Sequence, residues 1–158
     1  MTNQEAYNLY KVAQKYRGST KLPLKFSWAL MRTMKKIETA VIEPIDELTK
    51  PNAGFTEYQN ARIALCEKTA LKDEKGNFII KEGAYTFKDN VQPKLEPLQK
   101  KHKADIDNRK KQMEDEKKIL KEEYDGELHR VSFEHVPESM TLDDLASLEF
   151  MITEDVAK

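Results

Sequence analysis

"EKGNFIIKEGAYTFKDN", residues 74–90, is the one place in the middle of the chain where apolar residues crowd together without helical spacing. Long, polar, lysine-rich segments flank it. Asp73 to Gly76 is turn-forming by composition, and "NFII" and "AYTF" are two short β-prone runs. Lys81-Glu82-Gly83 separates them, and a three-residue loop with glycine last is a common hairpin connection. Glycine takes positive φ there without steric cost. A two-stranded hairpin is marginal in water, so it must lean on its own chain or on a partner. The stretch therefore reads first as a joint between two helical arms. It becomes a contact site where Phe78, Ile80, Tyr85 or Phe87 stay exposed.

Upstream of the joint, Thr56 and Gln59 fit a capping box and predict a helix from there to about Leu71. Before it, Pro23 stands where a first helical turn tolerates proline. Phe26, Leu30, Met34, Ile37, Val41, Ile45 and Leu48 then advance by threes and fours, with Trp28, Met31 and Ile42 widening the stripe. Pro44 predicts a kink or break near residues 40–44. Residues 4–17 form a separate short helix with Ala6, Leu9, Tyr10, Ala13 and Tyr16 on one face, closed by Gly18.

Downstream, residues 91–124 read as one long charged helix, with Pro97 delaying its regular start. Asp125-Gly126 stops it. "ELHRVSFEHV" alternates, which places His129, Val131, Phe133 and His135 on one face of a strand over 127–135. Thr141 caps a last helix carrying Leu142, Leu145, Leu148 and Ile152, with Phe150 and Met151 as further candidate partner contacts. The expected class is mainly α (α+β), a single domain over 1–158. Its plan is a long antiparallel helical hairpin, with a small β-hairpin at its tip and a short C-terminal strand and helix. The arms are 23–72, broken near 44–55, and 91–124; the joint is 74–90, and strand plus helix occupy 127–153.

Apolar residues make up 39 % of the chain and charged residues 35 %, which favours thin helical stripes over a thick globule. The net charge of −1 gives no overall pull toward nucleic acid or anionic lipid. Locally the charge is uneven. Residues 1–50 carry nine Lys/Arg against five Asp/Glu, and residues 125–158 carry two against nine, so front and tail are expected to attract each other within one chain or between chains. Cys66 is the sole cysteine, which rules out an internal disulfide and fits a reducing cytoplasm. No stretch approaches the ~20 apolar residues of a membrane span, and "MTNQEAYNLY" lacks the pattern of a secretory signal.

No catalytic residue, metal ligand or cofactor motif is read. His129 and His135 would stand about 20 Å apart on an extended strand and cannot share a metal ion without a second segment. His102 has Asp105 nearby but no marked nucleophile. Gly76 and Gly83 match neither the dinucleotide fingerprint nor the P-loop. "HKADIDNRKKQ" interleaves acids with its bases and lacks aromatics for stacking on bases, so it reads as a solvated helix face.

Four features together resemble a group of small tailed-bacteriophage proteins of uncharacterised function. They are "STKLPLKFSWALMRTMKKIE" opening a long helix, "EKTALKDEKGNFIIKEGAYTF" with its Gly-Asn turn, a long charged helix, and "ELHRVSFEHVPESMTLDDLASLEFMI" at the end. The resemblance spans roughly residues 20–153 and transfers no functional residue. It implies a non-enzymatic accessory protein that acts by protein–protein contact in particle assembly or in the virion. The alternative it leaves open is an inhibitor of a host or antiviral defence protein. The expected partner is a phage structural or host protein, met in the host cytoplasm or the virion. Leftover apolar surface favours a homodimer, while nucleic acid and membrane are disfavoured as partners.

Overall fold

The computed structural model describes residues 1–19 and 21–154 and is mainly helical, with two small two-stranded sheets. The chain divides into two compact units. One is residues 1–48 with those from 115 onward, and the other is residues 49–114.

The first unit opens with α1 (Asn3–Lys15). Its start is fixed by Thr2, whose hydroxyl accepts from the Glu5 N–H at 3.2 Å while the Glu5 carboxylate accepts from the Thr2 N–H at 2.7 Å. Ala6, Leu9, Tyr10, Val12 and Ala13 are buried, and Gly18 leaves the helix at φ +84° as expected. Pro23 leads into α2 (Leu24–Ile37), followed by a π-helical turn over Glu38–Ile42 and by α3 (Glu43–Leu48). The interruption expected near Pro44 takes this form. Proline lacks the donor that would reach the Ala40 carbonyl and its ring crowds that carbonyl. The turn widens instead, and the Glu43 N–H donates to the Glu38 carbonyl. The widening also serves the core. Ala29, Thr33, Ile37, Val41 and Ile45 are buried at steps of four, and in a straight α-helix each such step drifts about 40° around the axis. A wider turn takes that drift back and keeps Val41 and Ile45 facing inward.

The second unit begins with α4 (Ala53–Thr69). The cap is Asn52 and not Thr56. The Asn52 side chain accepts from the Phe55 N–H at 2.7 Å, which starts the helix a turn earlier, and the Thr56 hydroxyl donates back to the Asn52 carbonyl. The hairpin follows as β1 (Ile80–Lys81) and β2 (Ala84–Tyr85). Lys81 pairs with Ala84, so the loop is the two residues Glu82-Gly83 and not the three expected. Both have positive φ, +50° and +78°, the signature of the primed turn that matches strand twist. The hairpin leans on its own chain. The Leu71 N–H donates to the Thr86 carbonyl, and the Leu71 carbonyl accepts from the Ile79 N–H.

After it, α5 (Gln92–Lys101) and α6 (Lys103–Lys121) replace the single long helix expected over 91–124. The break is at His102, at φ −105° and ψ 23°. Pro97 does not delay the start, because its missing donor falls only one turn in, opposite the Pro93 carbonyl. α4 runs antiparallel to this pair, with Glu57 against Lys101 and Asn52 against Asp105.

The end of α6 returns the chain to the first unit. The Met1 carbonyl accepts from the Tyr124 N–H, and the Asn3 N–H donates to the Glu122 carbonyl. The strand expected over 127–135 shrinks to β3 (Val131–Ser132), because Phe133–His135 turn into a 3-10 helix. Val131 is buried and Phe133 exposed, so they do not share a face. The last helix, α7 (Leu142–Leu148), gives way to a 3-10 turn and to β4 (Ile152–Thr153), which pairs in parallel with β3. α2 packs on α1 and α1 on α7. The core joins Leu9, Phe26, Ile37, Leu148 and Met151. Of the hairpin expected between 23–72 and 91–124, the part found is α4 against α5; residues 24–48 pack instead in the first unit, where α1 and β3 lie on α2.

Candidate interaction surface

The second unit carries a groove of about 420 Å³ between α4 and the hairpin. Arg62, Ile63 and Cys66 form one wall, and Ile80, Ala84, Tyr85 and Phe87 the other. Ile63 is 46 % exposed and Ile80 60 % exposed, while Cys66 is buried at the base. The β-hairpin geometry holds the aromatic wall. Phe78 meets Tyr85 edge-to-face at 5.2 Å, and the Lys72 ammonium sits 4.8 Å from the Phe78 ring centre. The Tyr85 hydroxyl lies 3.4 Å from the Glu67 carboxylate, and desolvation followed by that negative charge pushes its pKa up.

Three of the contacts expected from sequence, Ile80, Tyr85 and Phe87, therefore meet in one groove, and Phe78 braces it. Ile63 and Arg62 complete the groove and were not foreseen. The polar and apolar residues of α4 are mixed around its axis, so periodicity alone does not mark which of them face out. The two C-terminal candidates fare differently. Phe150 is half-buried, and Met151 is fully enclosed in the core of the first unit. The 3-10 turn at Glu149–Met151 rotates Met151 inward, which removes it from the set of surface contacts.

His102 is buried between two carboxylates. Its Nδ1 lies 3.5 Å from Asp105 and its Nε2 3.9 Å from Glu57. Asn52 donates to the other Asp105 oxygen at 3.0 Å, and the Tyr58 ring stands 6.0 Å away. Lys101, bonded to Glu57 at 3.1 Å, holds that carboxyl below its usual range. The cluster ties α4 to α5 and α6. Its central Nε2 is enclosed, with no hydrogen-bond partner among the described residues. His129 is held elsewhere, by Thr33, whose hydroxyl accepts from its backbone N–H at 3.0 Å, and by a T-shaped contact with the Trp28 ring at 5.3 Å. His135 pairs with Glu134. No group of three or more His, Cys, Asp or Glu among the described residues is arranged to hold a metal ion.

In the first unit, the expected attraction between basic front and acidic tail is realised within the chain. Lys15 donates to Asp144 at 2.7 Å, and Lys36 to Glu127 at 3.3 Å. Trp28 and Met31 correct a second expectation. They do not widen the core stripe of α2 but lie on its outer face with Leu24. No helix among the described residues is long and apolar enough to cross a membrane. Comparison with family models, curated proteins and solved structures finds no match to this chain.

Proposed function

We propose that the protein is a non-enzymatic accessory protein that works by protein–protein contact, with the groove of the second unit as its contact site. The observation that carries this reading is the pairing of Ile63 with Ile80, two aliphatic side chains left open in one groove walled by Tyr85 and Phe87. Covering such side chains with a partner contributes about 1.5–3 kcal/mol each. A few aliphatic and aromatic anchors of this kind carry most of the energy of a protein interface. The phage setting, in particle assembly or the virion, rests on the sequence resemblance.

The test is Ile63→Asp combined with Ile80→Asp. In infected cells the wild-type chain co-purifies with particles or assembly intermediates; the double variant, with unchanged helical circular dichroism, is lost from them. Retention of the double variant overturns the groove. A second reading, inhibition of a host or defence protein, is favoured by the exposed acids Glu138, Asp143 and Glu149. Binding through those acids weakens steeply as salt rises, whereas binding through the isoleucines does not.

A further inference from the structure

Charge in the first unit is sorted along the chain. Residues 6–37 hold eight Lys and Arg with no Asp or Glu, and residues 131–154 hold six Asp and Glu with no Lys or Arg. Among the described residues, Lys15 and Asp144 form the one ion pair between these two sets. Lys21, Lys25 and Lys35 on one side, and Glu138, Asp143 and Glu149 on the other, stand exposed without an ion pair among the described residues. Each set also presents apolar side chains to solvent. Leu24, Trp28 and Met31 lie on the basic helix α2, and Phe133 and Leu142 lie in the acidic segment.

The two sets are neighbours. Leu24, Lys25 and Trp28 face Arg130, Val131, Glu134 and His135 across a cleft of about 610 Å³, in which Glu134, 3.1 Å from His135, is the one carboxylate and Arg130 is a cation on the same wall. Trp28 is held in place at its rim. The Arg32 guanidinium lies 5.6 Å from its ring centre and the His129 ring makes a T-shaped contact with it at 5.3 Å, yet the indole remains 52 % exposed.

We propose that this cleft face docks a second copy of the chain about a two-fold axis. The basic stripe Leu24–Lys25–Trp28 of each copy lies on the acidic turn Phe133–Glu134 of the other. A two-fold interface needs a patch complementary to itself. Adjacent halves of opposite charge, each with its own exposed apolar residues, meet that need, because the rotation lays each half on its opposite. An anionic membrane or a nucleic acid would attract the stripe, but the acids beside it would repel either one. A second copy satisfies both halves together.

The sole tryptophan lies in this face and reports on it. The experiment follows the full-length chain by light scattering and tryptophan emission from micromolar to near-millimolar concentration. The expected result is a monomer–dimer equilibrium in which emission shifts to the blue as mass doubles. Lys25→Glu and Glu134→Lys each weaken dimerisation about tenfold, since two pairs turn from attractive to repulsive. The Lys25→Glu/Glu134→Lys double variant regains most of the wild-type affinity. A monomer at every concentration overturns the proposal. So does a dimer that neither reversal weakens, or a double variant no tighter than the singles. Ile63→Asp/Ile80→Asp changes only the second unit and dimerises as the wild type does, so failure here and failure of the groove are told apart.

Discussion

Asp144 is the third residue of α7, where its carboxylate meets the favourable end of the helix and its backbone N–H is capped by Thr141. Its two oxygens accept from Lys15 and from the Tyr16 hydroxyl, each at 2.7 Å. One buried carboxylate therefore clamps the end of α1 to the start of α7. The Lys15 bond, then the Tyr16 bond, lower its pKa. Burial, then the carboxylate, push Tyr16 up to about 12. The depressed Asp144 makes a contribution to stability that is present above the ordinary carboxyl range and lost as pH falls through its folded pKa. The raised Tyr16 makes one that is complete below about pH 10 and lost as pH rises toward 12. Asp144→Ala is expected to cost about 1–3 kcal/mol, because it strips a charged bond and leaves the hydroxyl of the half-buried Tyr16 without its acceptor. Denaturant unfolding checks the magnitude. Tyrosine absorbance during alkaline titration checks the rest: Tyr16→Phe removes the last hydroxyl to ionise.

Among the elements, the hairpin is the most local in its causes. Its loop holds Glu82 at φ +50°, a conformation that suits asparagine better than glutamate, and Gly83 at φ +78°. Glu82→Asn is expected to stabilise the second unit by about 0.5 kcal/mol, and Gly83→Ala to destabilise it by about 1 kcal/mol. Thermal melts of the two variants should move in opposite directions. This element also shows what the sequence makes legible. Gly18, Gly83 and Pro44 act through the backbone of their own residue, and each produces a turn, a loop or an interruption where it stands. Caps are less legible, because Asn52 and Thr56 are both cap-forming residues four apart; Asn52 takes the role, and its amide also donates to Asp105. Whether a helix face turns in or out is set by the partner. Trp28 and Met31 share the periodicity of a core stripe, yet α1 covers the other side of α2. The groove was half legible for the same reason: the aromatics of the hairpin announce themselves, while Ile63 depends on where β1 and β2 come to rest.

Across the whole molecule, burial is unequal between the two units. The largest fully enclosed side chains among the described residues are Phe26, Leu9, Ile37, Leu148, Met151, Val41 and Thr33, all in the first unit. The second unit buries Tyr58, Cys66, Leu95 and His102, and it is fastened at its open end by polar bonds. There Arg109 donates to the Thr49 carbonyl and Gln112 to the Lys50 carbonyl. Backbone ordering costs roughly the same per residue in both units, so the unit with fewer buried apolar groups has the smaller surplus. Residues 49–114 are therefore expected to open first, as a cooperative unit of their own. Hydrogen exchange measured by mass spectrometry should show the slowest amides in α1, α2 and the π turn, with α4, α5 and the hairpin exchanging at least tenfold faster. Equal protection in both units would contradict the inequality of burial. The expectation also bears on function, because a ligand that binds only the folded form stabilises what it binds. A partner seated between Ile63 and Ile80 should slow exchange in α4 and the hairpin and leave the first unit unchanged, whereas dimerisation at Trp28 should slow exchange in α2 and in residues 131–135 and leave the second unit unchanged.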